Sequence, residues 1–149
     1  MKNKLIQFFV FVTFFIQYNL VSAQSPIGKW KLVSEILENQ DGTKKDMKLE
    51  MQKFKPCLAN FTYEYTSGGQ LITSVPPGCM AANLVPISTW KLTNHKIIFN
   101  QKEGKKIITT IYEVTFPGDQ MVFSYEYSPA ENKILHSKSK KLTITYKRA

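Results

Sequence analysis

Two cysteines, two histidines and 11 acidic residues are a small stock of catalytic and metal-binding side chains for a chain of 149 residues. His95 and His136 stand apart in turn-like segments, and no His, Asp, Glu or Cys cluster has metal-ligand spacing. Each reads as a solvated turn histidine. The Gly-x-Ser-x-Gly elbow of a serine hydrolase is missing, and so is a phosphate-cradling glycine loop. Internal repeats, low-complexity tracts and interdomain linkers are missing as well. These shortages point away from the common enzyme classes and toward a single domain that works by binding.

Long apolar runs are absent with one exception. Lys2 and Lys4 precede an apolar stretch from Leu5 to Leu20, and Val21-Ser22-Ala23 ends it with small residues. That order of zones is a secretory signal peptide over residues 1–23. A membrane anchor is the rival reading, but Gln7, Thr13, Gln17 and Asn19 interrupt a run only just long enough to span. Removing the leader leaves 126 residues, 24–149, with no membrane span. It also takes the net charge from +9 to +7, because two lysines go with it. A secreted or periplasmic address follows. In an oxidising compartment Cys57 and Cys79 most simply form one structural disulfide. A redox role would favour a Cys-x-x-Cys pair, which is not there.

What the mature part does have is period-two alternation. Trp30, Leu32, Ser34 and Ile36 share one face of a first strand, which ends at Asn39-Gln40-Asp41-Gly42. Phe61, Tyr63 and Tyr65 alternate with polar residues before the Ser67-Gly68-Gly69 turn. Ile108, Thr110, Tyr112, Val114 and Phe116 form one face of a long strand, and Met121, Phe123, Tyr125 and Tyr127 one face of the next. Pro129-Ala130-Glu131-Asn132 reads as a turn. Leu142, Ile144, Tyr146 and Arg148 line the final strand. One polar and one apolar face per strand means an antiparallel sheet packed on one side. About eight such strands predict an all-β, up-and-down antiparallel barrel or a sandwich. Lys44 to Phe54 breaks the pattern: Met47, Met51 and Phe54 at helical spacing predict a short helix or lid. Val75 to Ile87, with three prolines and Cys79, reads as a loop.

Gly28-Lys29-Trp30 opens the first strand within the segment Ile27 to Ser34. Cys57, the aromatic strand Phe61 to Tyr65, Gly68-Gly69, Cys79 and Ser88-Thr89-Trp90 follow in order. In this order of parts the chain resembles the small secreted bacterial lipocalin-like domain proteins, of calycin barrel type. The resemblance covers essentially the whole mature chain. It lacks the Thr-Asp-Tyr element and the C-terminal helix of the larger lipocalins. The resemblance implies an eight-strand barrel with Trp30 plugging the closed end. Arg148 would pack over that ring in a cation–π contact, or else fray in solvent as a C-terminal residue.

A barrel of this size is either filled by its own side chains or holds one ligand. The inward Tyr/Phe face suits a small apolar or amphiphilic molecule, with Tyr63, Tyr65, Tyr112, Phe123 and Tyr125 as wall candidates. Met51 and Phe54 would close over it. No cofactor or metal is expected. Lysines cluster at 44, 45 and 48, at 102, 105 and 106, and at 138, 140 and 141. A basic rim of this kind could engage an acidic macromolecule, making the chain an inhibitor or accessory factor. Export argues against nucleic acid.

Overall fold

The computed structural model describes residues 25–79 and 88–149. The expected leader and the end of the proline-rich stretch, residues 80–87, lie outside the described residues. Among the described residues there are nine strands and two short α-helices. The chain runs β1 (Gly28–Asn39), β2 (Lys44–Asp46), helix α1 (Met47–Phe54), a 3-10 turn (Pro56–Asn60), β3 (Thr62–Tyr65) and β4 (Gln70–Ser74). It continues through β5 (Ser88–Thr93), β6 (Lys96–Glu103), β7 (Lys106–Thr115), β8 (Gln120–Glu126), helix α2 (Pro129–Leu135) and β9 (Ser139–Arg148).

All neighbours are antiparallel, and β9 returns to pair with β1 from Trp30↔Arg148 to Asn39↔Ser139. Strand β1 with β3 to β9 therefore closes an eight-stranded barrel, which leaves no open edge in the ring. Strand β2 is an addition outside the ring. It pairs with the far half of β1, at Ile36 to Glu38, while β3 takes the near half, Gly28 to Lys31.

Alternate side chains of each strand meet inside. Trp30, Leu32, Tyr65, Ile97, Val114, Met121 and Phe123 are buried there, with Ile144 and Tyr146 from β9. Fully burying a side chain of this size contributes about 1.5–3 kcal/mol. The two ends of the barrel differ in what connects the strands. One end carries only tight turns, at residues 66–69, 94–95 and 117–119. Asn94 and His95 both take left-handed φ, as two-residue hairpin turns of the primed type require. The other end carries the 40–43 turn, α1, the 3-10 turn, the 104–105 turn and α2.

Three local expectations need correction. Strand β1 does not alternate evenly. Leu32 pairs with Tyr146, but the next pair is Ser34 with Thr145, so Val33 is an extra, bulged residue. Residues opposite each other share a face, so the bulge turns Glu35 and Leu37 inward, opposite Ile144 and Leu142, and Ser34 and Ile36 outward. The Lys48 ammonium, from α1, caps the carbonyls of Leu32 (2.9 Å) and Val33 (3.1 Å) at this irregularity. Second, Pro129 to Leu135 is a helix, not a turn. Ser128 and Glu131 form a capping box around it, with Pro129 in the first turn. Third, the Met47–Met51–Phe54 stripe does not act as one face: Met51 packs against the core, whereas Phe54 is 83% exposed. Phe54 lies three residues beyond Met51, about 4.5 Å further along the axis, and stands in solvent.

Candidate functional site

The closed end is sealed by side chains from both termini of the barrel. Trp30 is 2% exposed and its Nε1 donates to the Pro26 carbonyl at 2.6 Å. The Arg148 guanidinium carbon stands 4.0 Å from the Trp30 ring centroid. Its Nη1 donates to the Ile27 carbonyl at 2.5 Å and its Nη2 to the Ser25 carbonyl at 3.2 Å. Of the two alternatives for Arg148, the packed one is seen. This end is a plug, and a ligand has no way through it.

Above the plug lies a cavity of about 160 Å³. Its aromatic wall is Tyr63, Tyr65, Phe99, Tyr112, Phe123 and Tyr146, completed by Leu71 and Ile144. Its polar wall is Ser88, Gln101 and Thr110. The rings brace one another: Tyr63 meets Tyr146 edge-on at 5.4 Å between centroids, and Tyr112 stacks on Phe123 at 5.7 Å. Such pairs add about 0.5–1.5 kcal/mol each beyond the area they bury, so the wall is stiff.

Polarity inside this wall is unusual. Among the described residues, the hydroxyls of Tyr63, Tyr65, Tyr112 and Tyr146 form no protein hydrogen bond, yet no fully buried side-chain polar atom lacks a partner. The hydroxyls therefore open onto the cavity. Burial raises the phenol pKa of all four, so they stay neutral throughout the ordinary pH range. A neutral phenol both donates and accepts, which gives the cavity four adaptable hydrogen-bonding groups in an apolar frame.

Four of the seven expected ligand-wall residues line this cavity: Tyr63, Tyr65, Tyr112 and Phe123. Tyr125 stands one ring further out, edge-on to both Tyr112 and Tyr127, and its hydroxyl donates to the Glu131 carboxylate of α2. Met51 and Phe54 lie outside the lining. The disulfide Cys57–Cys79 is present, with a Cα–Cα distance of 5.8 Å, and ties the 3-10 turn to the chain leaving β4. Among the described residues no group of three His, Cys, Asp or Glu side chains could hold a metal ion. His95 sits in the β5–β6 turn and His136 caps the end of α2.

Sequence reasoning missed Gln101 and Ser88. Gln101 continues the inward series Ile97, Phe99 at the same spacing, so strict alternation would have found it. It also missed Glu35, which the bulge brings inside. Burial raises the Glu35 pKa, and the negative charge of Asp46 adds to the shift. The charge of Glu35 is felt by Tyr63 on β3, Tyr112 on β7, Tyr127 after β8 and Tyr146 on β9. The register opposite Ile144 turns Glu35 toward the barrel interior, beside the cavity lining and not within it. Among the described residues it has no hydrogen bond or ion pair. The rim lysines are differently placed. Lys44 and Lys140 both engage Glu38, at 3.5 and 2.9 Å, and Lys45 and Lys53 engage Glu50. These are surface pairs, screened by water, and contribute little to stability. Among the described residues no helix is long and apolar enough to cross a membrane.

No family model, curated protein or solved structure matches this chain.

Proposed function

We propose that this chain is an exported, lipocalin-like binding protein that holds one small amphiphilic molecule inside its barrel without transforming it. The observation that carries this reading is a stiff aromatic cavity whose four phenol hydroxyls have no protein partner. A merely filled core would satisfy its own hydroxyls, because each buried polar group left unpaired costs about 1–3 kcal/mol. The cavity volume sets the size of the guest. A 150 Å³ space accommodates about one benzene ring, below the usual 300–1,000 Å³ range of drug-sized pockets. The guest is thus a single ring with a polar substituent, or a short chain of similar bulk. The disulfide, the resemblance of the leader to a signal peptide and the Trp30–Arg148 closure support the exported, lipocalin-like part of the reading.

Amide and aromatic NMR spectra of the mature protein titrated with p-cresol test it. The expected result is saturable binding, with shifts concentrated at Tyr63, Tyr112 and Phe123. Thr110→Leu, which fills part of the cavity, should weaken binding while leaving the fold intact. Absence of saturable shifts at the cavity residues overturns the reading.

A further inference from the structure

The bulge at Val33 places one carboxylate where a straight strand would have put a serine. We infer that the molecule held in the barrel carries a positive charge, and that Glu35 and the surrounding tyrosines recognise it as an organic ammonium group. This inference rests on the cavity-binding reading above and adds the chemical class of the guest.

Three features of the interior converge on a cation. Glu35 faces inward from β1 opposite Ile144; Ile144 lines the cavity, and Glu35 stands beside that lining, not in it. The titratable groups near enough to feel its charge are Tyr63 on β3, Tyr112 on β7, Tyr127 at the end of β8 and Tyr146 on β9, and Asp46 on β2 acts on it in turn. None of these is cationic. The Lys48 ammonium, which caps the bulge just before Glu35, is engaged by the Leu32 and Val33 carbonyls. The Asp46 carboxylate caps α1 through the amides of Lys48 and Leu49. Glu35 is thus an inward carboxylate without a counter-ion in a chain of net charge +9, in which basic side chains are plentiful elsewhere.

The aromatic partners fit the same guest. A ring face is negative, and a cation within about 6 Å of a centroid is attracted by it. Burial deprives Glu35 of water, so a guest ammonium would restore to the carboxylate what solvation supplied. An anionic guest would be repelled by Glu35. A neutral guest could use the phenol hydroxyls but would leave the carboxylate unpaired. The ring-sized cavity adds a limit on bulk, so the class is a small arylalkylamine or an alkylamine of similar volume.

Isothermal titration at pH 7.5 with three molecules of one shape tests the inference: 2-phenylethylamine, 2-phenylethanol and 3-phenylpropionate. The amine should bind at least tenfold more tightly than the alcohol, and the acid more weakly than either. In Glu35→Gln the amine should fall to the affinity of the alcohol, while the alcohol stays within twofold of its wild-type value. That unchanged alcohol binding also shows that the variant's cavity is intact. If the alcohol equals or exceeds the amine in the wild type, or if the amine's advantage survives in Glu35→Gln, the cation inference is wrong and the cavity reading stands. If none of the three binds, both fall.

Discussion

Gly28 is the residue on which the closed end depends, and replacing it with alanine should cost far more than the loss of one hydrogen atom suggests. Gly28 adopts φ +122°, a conformation that an L side chain holds only under strain. A Cβ placed there would stand 2.3 Å from Arg148 Nη1. The guanidinium would have to leave, and with it go the stacking over Trp30 and the bonds to the Ile27 and Ser25 carbonyls. The backbone strain is worth about 1–3 kcal/mol. A cation–π contact at a partly open site contributes about 0.5–1 kcal/mol, and hydrogen bonds at an exposed position about 0.5–1.5 kcal/mol each. Arg148→Ala alone should then cost about 2 kcal/mol, and Gly28→Ala about 4 kcal/mol.

The double variant is the decisive measurement. If Gly28→Ala acts partly by expelling Arg148, removing Arg148 afterwards should cost almost nothing more. The double variant should stay near about 4 kcal/mol, against about 6 kcal/mol for independent effects. Urea unfolding followed by tryptophan fluorescence gives all three values. Additivity within about 0.5 kcal/mol would show that the guanidinium does not occupy the space above Gly28. A Gly28→Ala cost below about 1 kcal/mol would refute the backbone argument as well.

Replacing both Cys57 and Cys79 by serine removes a cross-link 22 residues apart in sequence, worth about 3 kcal/mol in the chain-entropy model. The urea midpoint should fall accordingly, and dithiothreitol should lower the wild type to the variant and leave the variant unmoved. Glu35→Gln should raise the melting temperature at pH 7.5. Burial lifts the Glu35 pKa above its ordinary 4.5, so the folded state holds the proton more tightly and ionisation costs stability as pH rises past that value. The advantage of the glutamine should therefore shrink as pH is lowered and disappear below about pH 4, and an advantage independent of pH would contradict it. Deleting Val33 should be tolerated, because removing the bulged residue regularises β1 and keeps Glu35 and Leu37 facing in. Deleting Ile111 from β7 should abolish folding, since it exchanges the two faces of half a strand, and equal damage from both deletions would contradict the register.

How much of this was legible depended on the range of the interactions involved. The later strands were readable because Ile108 to Phe116, Met121 to Tyr127 and Leu142 to Arg148 each alternate without interruption between clear turns. Trp30, Arg148 and the Cys57–Cys79 pair were readable because each had one obvious partner. Helix α2 carried a local signal, Ser128-Pro129-Ala130-Glu131, but its Ile134 and Leu135 are exposed, so no apolar stripe announced a helix. The bulge had no local signal at all. Residues 32–37 alternate acceptably in either register, and only the pairing of β1 with a strand more than 100 residues away chooses between them. The candidate site inherits that division: the tyrosines were visible as a pattern, whereas Glu35 depends on how the barrel closes.

The division also bears on what the two ends are for. At the closed end the two plugging side chains are engaged: the Trp30 indole has the Pro26 carbonyl, and the Arg148 guanidinium has two carbonyls and a ring. Midway up the barrel this ceases, and four phenols and a carboxylate face inward without partners among the described residues. A continuous β1 would have left Glu35 in water and put Ser34 inside, which is the less costly arrangement for the empty barrel. The bulge does the reverse, and Lys48 is committed to holding it. Bulges re-aim side chains beside functional sites. Here the re-aimed side chain is the one whose burial is expensive until something positively charged sits next to it. The same carboxylate should therefore register both as a cost in the empty protein and as affinity in the loaded one. Those two quantities should move together when Glu35 alone is changed.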